Sequence, residues 1–306
     1  MLGFGAAIVV DGRCGHRADL ATGPIDQVET WRALVPGLTV CDDAIMAQFA
    51  PLGFAPEVLA GTAAALVDEG YFQLDPPEWN LPWQDMAATV TSLRSQGLST
   101  CFAFMYDQFW LAFARLHQLL GHNLGPDYQL LPAFWAWHID PKSDESGWAP
   151  HRDRGRMALN PDGSPKALTV WLPLSDATTL NSCMYLVPAN REQTYNTEDE
   201  NRPRYANADI RALPVKAGSI LCWNQAVLHW GSHSSKRAPH PRISMAFEFQ
   251  RGDIDPLETV QIPPLVLPPF HERLLLTCIQ ILQYKHMYPL APEMEAMVQG
   301  ILNEMK

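Results

Sequence analysis

The spacing of apolar and polar positions changes character near residue 131. Before it, helical periods dominate. "APEVLAGTAAALVDEGYFQLD", residues 55–75, predicts a helix, a glycine stop at Gly70 and a short strand at 71–75. "DPPEWNLPW" is a loop, and residues 83–95 and about 105–121 are helical. In the second, "FWLAFARLHQLLGH" repeats apolar residues at i, i+3 and i+4, and Gly121 suits its C-terminal end. Residues 1–55 show only irregular chain and short helices. After 131, short β-rich runs alternate with turn residues: "PAFWAWHI", "ALTVWLPL", "CMYLVP", "IRALPV", "SILCWN" and "RISMAFEFQ". Such a series predicts a sandwich or barrel. "PPLVLPPF" then breaks the chain, and helices are expected at 270–285 and 292–304. No repeat or linker divides the sequence. The expectation is a single domain over 1–306, with a mostly helical region at 1–130, a β core at 131–252 and C-terminal helices within 265–306.

Charge narrows the partners. The chain of 306 residues carries a formal net charge of −11, with acidic residues spread along it. That argues against nucleic acid, which favours a basic face, and gives no attraction to an anionic membrane surface. No apolar run reaches the roughly 18 residues of a membrane span. A small-molecule substrate remains, and whether the chain is a monomer or a homodimer is left open. The six cysteines, at 14, 41, 101, 183, 222 and 278, form no CxxC pair and no disulfide framework. Reduced, mostly buried thiols in a cytoplasmic protein are expected. The N-terminal "MLGFGAAIVVDGRCGH" lacks a basic region before its apolar run and reads as mature sequence. The acidic "NTEDENRPRY", residues 196–205, separates two strands, either as a solvated loop or as a lid over a pocket.

The candidate chemistry lies in the histidines. Two His-x-Asp pairs occur, His138 and Asp140 in "WAWHIDP", and His151 and Asp153 in "GWAPHRDRG". Residues i and i+2 of a strand share a face, so either pair presents an imidazole beside a carboxylate. With a histidine from a distant strand, such a pair forms the facial triad of non-haem Fe(II) oxygenases. His229, in "PVKAGSILCWNQAVLHWGSHSS", offers that third group. Downstream, Arg242 in "HPRISMAFEF" is suited to clamp a carboxylate, and Ser244 shares its strand face. His229 and His233 also have an H-x3-H spacing compatible with zinc, but no paired cysteines accompany them.

These elements, in this order, resemble the phytanoyl-CoA dioxygenase-like family of Fe(II)/2-oxoglutarate oxygenases over about residues 56–250. "LVDEGYFQLD" is similar to its helix-then-strand opening. "PHRD" and "ALTVWLPLSDATTLNSCMYLVPA" match a His-x-Asp followed by a tryptophan strand, an Asp-Ala-Thr run and an Asn-Gly turn. "AGSILCWNQAVLHWGSHSS" resembles its Leu-His-Gly-Ser segment. Three departures stand out: Ser182 where glycine is usual, "PAN" for Pro-Gly-Ser after Val187, and Trp230 inserted after His229.

The resemblance implies a double-stranded β-helix, or jelly-roll, core. It selects His151 and Asp153 over His138 and Asp140, because the family places its pair just before the Trp171 strand. His151, Asp153 and His229 would hold Fe(II). Arg242, Ser244, Trp171 and Thr169 would contact the cosubstrate 2-oxoglutarate, with O2 as second cosubstrate. The implied reaction hydroxylates an unactivated C–H bond of a small metabolite and releases succinate and CO2. Asp153 distinguishes this pattern from related halogenases, where a small residue leaves room for halide. Trp135 and Trp137 share a strand face and would wall the substrate pocket. Two alternatives stay open: a peptide or protein hydroxylase on the same core, and a noncatalytic cupin-like binding protein.

Overall fold

The computed structural model describes residues 19–20, 23–47, 49–258 and 261–304. Cys14 and the reading of the N-terminal apolar run lie outside the described residues. In chain order the elements are β1 (Asp19–Leu20), β2 (Gly23–Pro24), α1 (Val28–Leu34), α2 (Asp43–Ala47), α3 (Pro56–Asp68), β3 (Tyr71–Leu74), α4 (Trp83–Ser95), α5 (Asp107–Ala114), α6 (His117–Leu124), β4 (Gln129–Ile139), β5 (Ala167–Pro173), β6 (Met184–Leu186), β7 (Arg211–Leu213), β8 (Ile220–Asn224), β9 (His229–Gly231), β10 (Arg242–Gln250), α7 (Phe270–Gln283) and α8 (Pro292–Glu304).

Two compact units emerge, neither continuous in sequence. One takes in the described residues within 1–50, 81–113 and 266–306; the other, those within 51–80 and 114–265. The first is helical. Trp31 is fully buried against Phe102, at 5.3 Å between ring centroids. A buried ion pair, Arg273 Nη1 to Asp107 Oδ1 at 2.7 Å, ties α7 to the start of α5. Asp107 also accepts from the backbone amides of Cys41 and Asp42, so its desolvated charge is fully engaged.

The second unit contains the β core. Its larger sheet is antiparallel with strand order β3-β8-β5-β10-β4; a smaller one runs β7-β6-β9. Every residue of β5 is buried, as are nine of the eleven in β4, so both strands are covered on both faces. That explains their near-continuous apolar sequence. α3 starts with Pro56 in its first turn and stops before Gly70. Gly70 has φ +82°, and a Cβ there would meet Val227 Cγ2 at 2.3 Å. Only glycine fits both the conformation and the contact.

The expected strands all form, with ends shifted by at most a few residues. The helix expected over about 105–121 does not form as one piece. A 3-10 turn (Thr100–Met105) precedes α5, and α6 follows after a break at Arg115. The Arg115 carbonyl accepts from Leu52 N at 2.7 Å, so it is used outside the helix ladder. Gly121 sits within α6, and Gly125, with φ +92°, ends it instead. β9 is a strand that the apolar pattern did not reveal, because three residues are too few to show a period. The five described cysteines are free thiols. Among the described residues, no helix is long and apolar enough to cross a membrane.

Candidate functional site

The His151 stretch and β9 run side by side. His151 N donates to His229 O and His229 N to His151 O, both at 3.0 Å. This reciprocal pair sets the two imidazoles next to each other, with ring centroids 4.4 Å apart. Asp153, two residues on, brings its Oδ1 to 3.6 Å from His151 Nε2 and 3.4 Å from His229 Nε2. One donor atom from each residue lies within 4.8 Å of the others. His151 Nδ1 lies 2.7 Å from the Ala149 carbonyl, and His229 Nδ1 lies 3.0 Å from the Val227 carbonyl. A carbonyl only accepts, so both Nδ1 atoms carry the proton and both Nε2 lone pairs face the shared centre. Asp153 Oδ2 accepts from Thr169 Oγ1 at 2.7 Å and Trp223 Nε1 at 3.0 Å, leaving Oδ1 to the same centre. Two imidazole nitrogens and one carboxylate oxygen, each held by a second hydrogen bond, suit a ferrous ion.

Backbone contact makes this pairing tight. A Cβ on Gly147 would lie 2.5 Å from the Gly231 Cα, and the converse holds for Gly231. Gly147 N also donates to Ser182 Oγ at 3.1 Å. Ser182 adopts φ +74°, a backbone that glycine usually takes, and its hydroxyl supplies a contact glycine lacks. Gly147→Ala is expected to cost about 1–3 kcal/mol through overpacking and to lower the melting temperature. A thermal melt matching wild type would contradict the close approach.

The larger sheet turns one face to the triad. Strand register sets Trp137 opposite Ser244, Trp135 opposite Ala246, Trp171 opposite Ala246 and Thr169 opposite Glu248. Thr169 in turn faces Trp223. Directly opposed residues share a face, so Trp135, Trp137, Arg242, Ser244, Trp171 and Thr169 all lie on the side from which Thr169 and Trp223 reach Asp153. Arg242 is 2% exposed, with its Cζ 5.5 Å from the Trp171 ring centroid and Nη1 3.7 Å from Met184 Sδ of the smaller sheet. Ser244 Oγ is buried and has no hydrogen-bond partner among the described residues. His138 alternates to the opposite face of β4, pairing with Ile243. Asp140 accepts from Lys142 N and Ser143 Oγ in the turn that follows β4. The two His-x-Asp pairs are therefore not equivalent: among the described residues, the cluster of three ligand-type side chains includes His151 and Asp153.

Comparison with known proteins identifies the family. The model of the phytanoyl-CoA dioxygenase (PhyH) family matches residues 67–240, more than half of the sequence. The chain belongs to the phytanoyl-CoA dioxygenase (PhyH) family. This PhyH chain is thus an enzyme of the iron- and 2-oxoglutarate-dependent oxygenase class. No curated protein matches it in sequence. Its fold is similar to that of the epimerase SnoN, crystallised with Fe3+, alpha ketoglutarate and nogalamycin RO. That structure is 18% identical, covers 70% of this chain and 96% of its own, and superposes with a TM-score of 0.50. The nickel complex of the non-heme monooxygenase ThoJ is 15% identical over 68% of this chain and 87% of its own, with a TM-score of 0.49. AviO1 from Streptomyces viridochromogenes Tue57 is 15% identical over 66% and 99%, with a TM-score of 0.48.

Electrostatics in the PhyH site follow from burial and neighbours. Burial alone would raise the Asp153 carboxyl; the adjacent His229 and His151 and the hydrogen bonds from Thr169 and Trp223 outweigh it and hold the group below its usual range. Burial lowers His229 to about 4, only partly opposed by Asp153. The imidazole is therefore neutral at pH 7, the form that donates a lone pair to a metal. Four further groups surround the triad, two of them, Trp148 and Trp223, legible in the sequence only as packing residues near the core. Trp223 lies on a strand that was recognised, but its face depends on register, which the sequence does not print. Gln225 Nε2 donates to Thr169 Oγ1 at 3.2 Å. Glu248 shares the inner face, and burial together with the Asp153 charge pushes it up to about 7. Trp148 packs 5.3 Å from Trp137 and 5.8 Å from His151, joining the triad to the aromatic residues of β4.

Proposed function

We propose that the chain hydroxylates an unactivated C–H bond of a small-molecule metabolite, consuming 2-oxoglutarate and O2 and releasing succinate and CO2. The convergence of His151, Asp153 and His229 donors within 4.8 Å carries this reading. In it, those three residues hold Fe(II). Bound iron, with 2-oxoglutarate and dioxygen, supplies the oxidant that breaks the substrate C–H bond. The protein's own contribution is position and shielding.

Ala149 and Val227 carbonyls aim the two imidazoles; Thr169 and Trp223 aim the carboxylate. Arg242 pairs with the distal carboxylate of 2-oxoglutarate through charge-assisted hydrogen bonds, and Ser244 donates from the same face. The partnerless, buried Ser244 hydroxyl supports this assignment, since such a group otherwise costs stability. Trp171, beside the Arg242 guanidinium, and Thr169 complete the cosubstrate surroundings. Trp135 and Trp137, extended by Trp148, wall the substrate side with aromatic surface. A carboxylate at Asp153 fills the position that a halide would need, which favours hydroxylation over halogenation.

The test is succinate release in the presence of Fe(II), 2-oxoglutarate and O2, screened across metabolites. Stimulation by a small molecule supports the reading; stimulation by proteins alone, or no succinate under any condition, contradicts it. Thr169→Val, which keeps shape but removes one hydrogen bond to Asp153, is expected to weaken Fe(II) binding roughly 10- to 100-fold. An anaerobic Fe(II) titration checks this, and an unchanged affinity would remove Thr169 from the support of the site.

A further inference from the structure

Arg152 stands between His151 and Asp153 in sequence, and its side chain is only 8% exposed. Its guanidinium bonds three separate segments. Nη2 donates to Glu192 Oε2 at 2.5 Å, Nη1 to the Ala226 carbonyl at 2.5 Å, and Nε to the Glu200 carbonyl at 3.3 Å. The Ala226 contact adjoins Val227, whose carbonyl orients His229. Arg154 N and Gly155 N both donate to the Gln225 carbonyl, at 3.1 and 3.0 Å. The segment that carries His151 and Asp153 therefore grips the segment that sets His229.

The other two contacts reach the acidic stretch between β6 and β7. Glu192 is buried, and its carboxylate also accepts from Thr194 N, Thr194 Oγ1 and Arg204 N. Gln193 N donates to Arg204 O, which closes the base of the stretch. Further along, Glu200 Oε2 accepts from Arg156 N at 2.7 Å. The Glu200 carboxylate occupies the space where a Cβ on Gly155 would stand, 2.6 Å away, and Gly155 has φ +65°. Most of residues 196–204 face outward, yet Glu192 and Glu200 fasten the stretch to the ligand loop on both sides of Asp153.

We infer that Arg152 is a positioning residue for the metal centre, and that the acidic stretch 192–204 is part of its scaffold. A planar guanidinium with fixed donors sets the Asp153 arm against the His229 arm, and Glu192 supplies the buried counter-charge that keeps it there. A lysine, whose three donors radiate from one nitrogen, does not match acceptors spread over Nε, Nη1 and Nη2. This inference rests on the proposed ligation by His151, Asp153 and His229.

The experiment is an anaerobic equilibrium titration of the full chain with Fe(II), paired with thermal melts. The variants are Arg152→Gln, Arg152→Lys and Glu192→Gln. Asp107→Asn serves as control, since it breaks the buried ion pair with Arg273 in the other unit. Arg152→Gln and Glu192→Gln are expected to weaken Fe(II) binding about 10- to 100-fold, with Arg152→Lys losing less. Asp107→Asn should lower the melting temperature and leave Fe(II) affinity at the wild-type value. Wild-type affinity in the folded Arg152→Lys and Glu192→Gln variants would overturn the inference; so would an equal loss in Asp107→Asn, which would mark a general stability effect. If Arg152→Gln does not fold, the other two variants decide the matter. A folded wild-type chain that binds no Fe(II) would instead overturn the underlying ligation, and this inference with it.

Discussion

Asp153→Ala is expected to abolish 2-oxoglutarate turnover and to reduce Fe(II) binding to background. Two effects combine. The substitution removes the only anionic donor of the triad, leaving two imidazoles that converge on an empty corner. Two imidazoles without the carboxylate offer a divalent cation one donor fewer and no compensating charge. It also strands the Thr169 hydroxyl and Trp223 indole, which both donate to Asp153 Oδ2 in a buried setting. Asp153→Asn gives the sharper comparison, since it keeps the shape and removes the charge. It too should lose turnover, while circular dichroism stays that of a folded protein. Succinate release and Fe(II) titration read both variants. Turnover retained in Asp153→Ala would remove the carboxylate from the metal centre.

Arg242→Ala is the second large effect. Arg242 is buried on the inner face of β10, two residues from Ser244 and close to Trp171. Truncating one partner of a buried, hydrogen-bonded charge pair costs about 2–5 kcal/mol. The KM for 2-oxoglutarate should therefore rise roughly 30-fold or more, by the same free energy. Fe(II) affinity should change little, because the hydrogen bonds that aim the triad come from Ala149, Val227, Thr169 and Trp223. Arg242→Lys should recover part of the loss, as a point charge replaces a two-pronged donor. A 2-oxoglutarate KM equal to wild type would end this role for Arg242, whatever the effect on the metal.

Much of this layout was legible in sequence because the strands are buried. The runs 132–139, 167–174 and 242–250 are so apolar that helix and strand could be told apart by their short length and β-branched or aromatic content. The choice of His151 over His138 needed the motif order, and the strand register gives the physical reason. His138 and Trp137 alternate, so a face that holds Trp137 excludes His138. What stayed hidden depends on tertiary contact. The break between α5 and α6 arises from Leu52 taking the Arg115 carbonyl, a partner sixty-odd positions away. Trp223 and Gln225 join the Asp153 network only because β8 lies next to β5. Arg152 carries no sequence signal of its own, and its three acceptors come from segments that only folding assembles.

The departures from the family pattern also acquire a physical meaning. Ser182 keeps the left-handed backbone that glycine would adopt, and its hydroxyl receives Gly147 N. Trp230 points to the far side of β9 from His229 and stacks on Tyr185, with ring centroids 6.0 Å apart. The additional residue thus leaves the inner face of β9 to His229 and Gly231.

The most direct measurement is an anaerobic titration with Fe(II) and 2-oxoglutarate, followed by the visible charge-transfer absorption of an iron-chelated keto acid. A saturable band at one site per chain is predicted for wild type, and none for Asp153→Ala or His229→Ala. A band of wild-type amplitude in those two variants, or no band in the folded wild-type chain, would contradict the account.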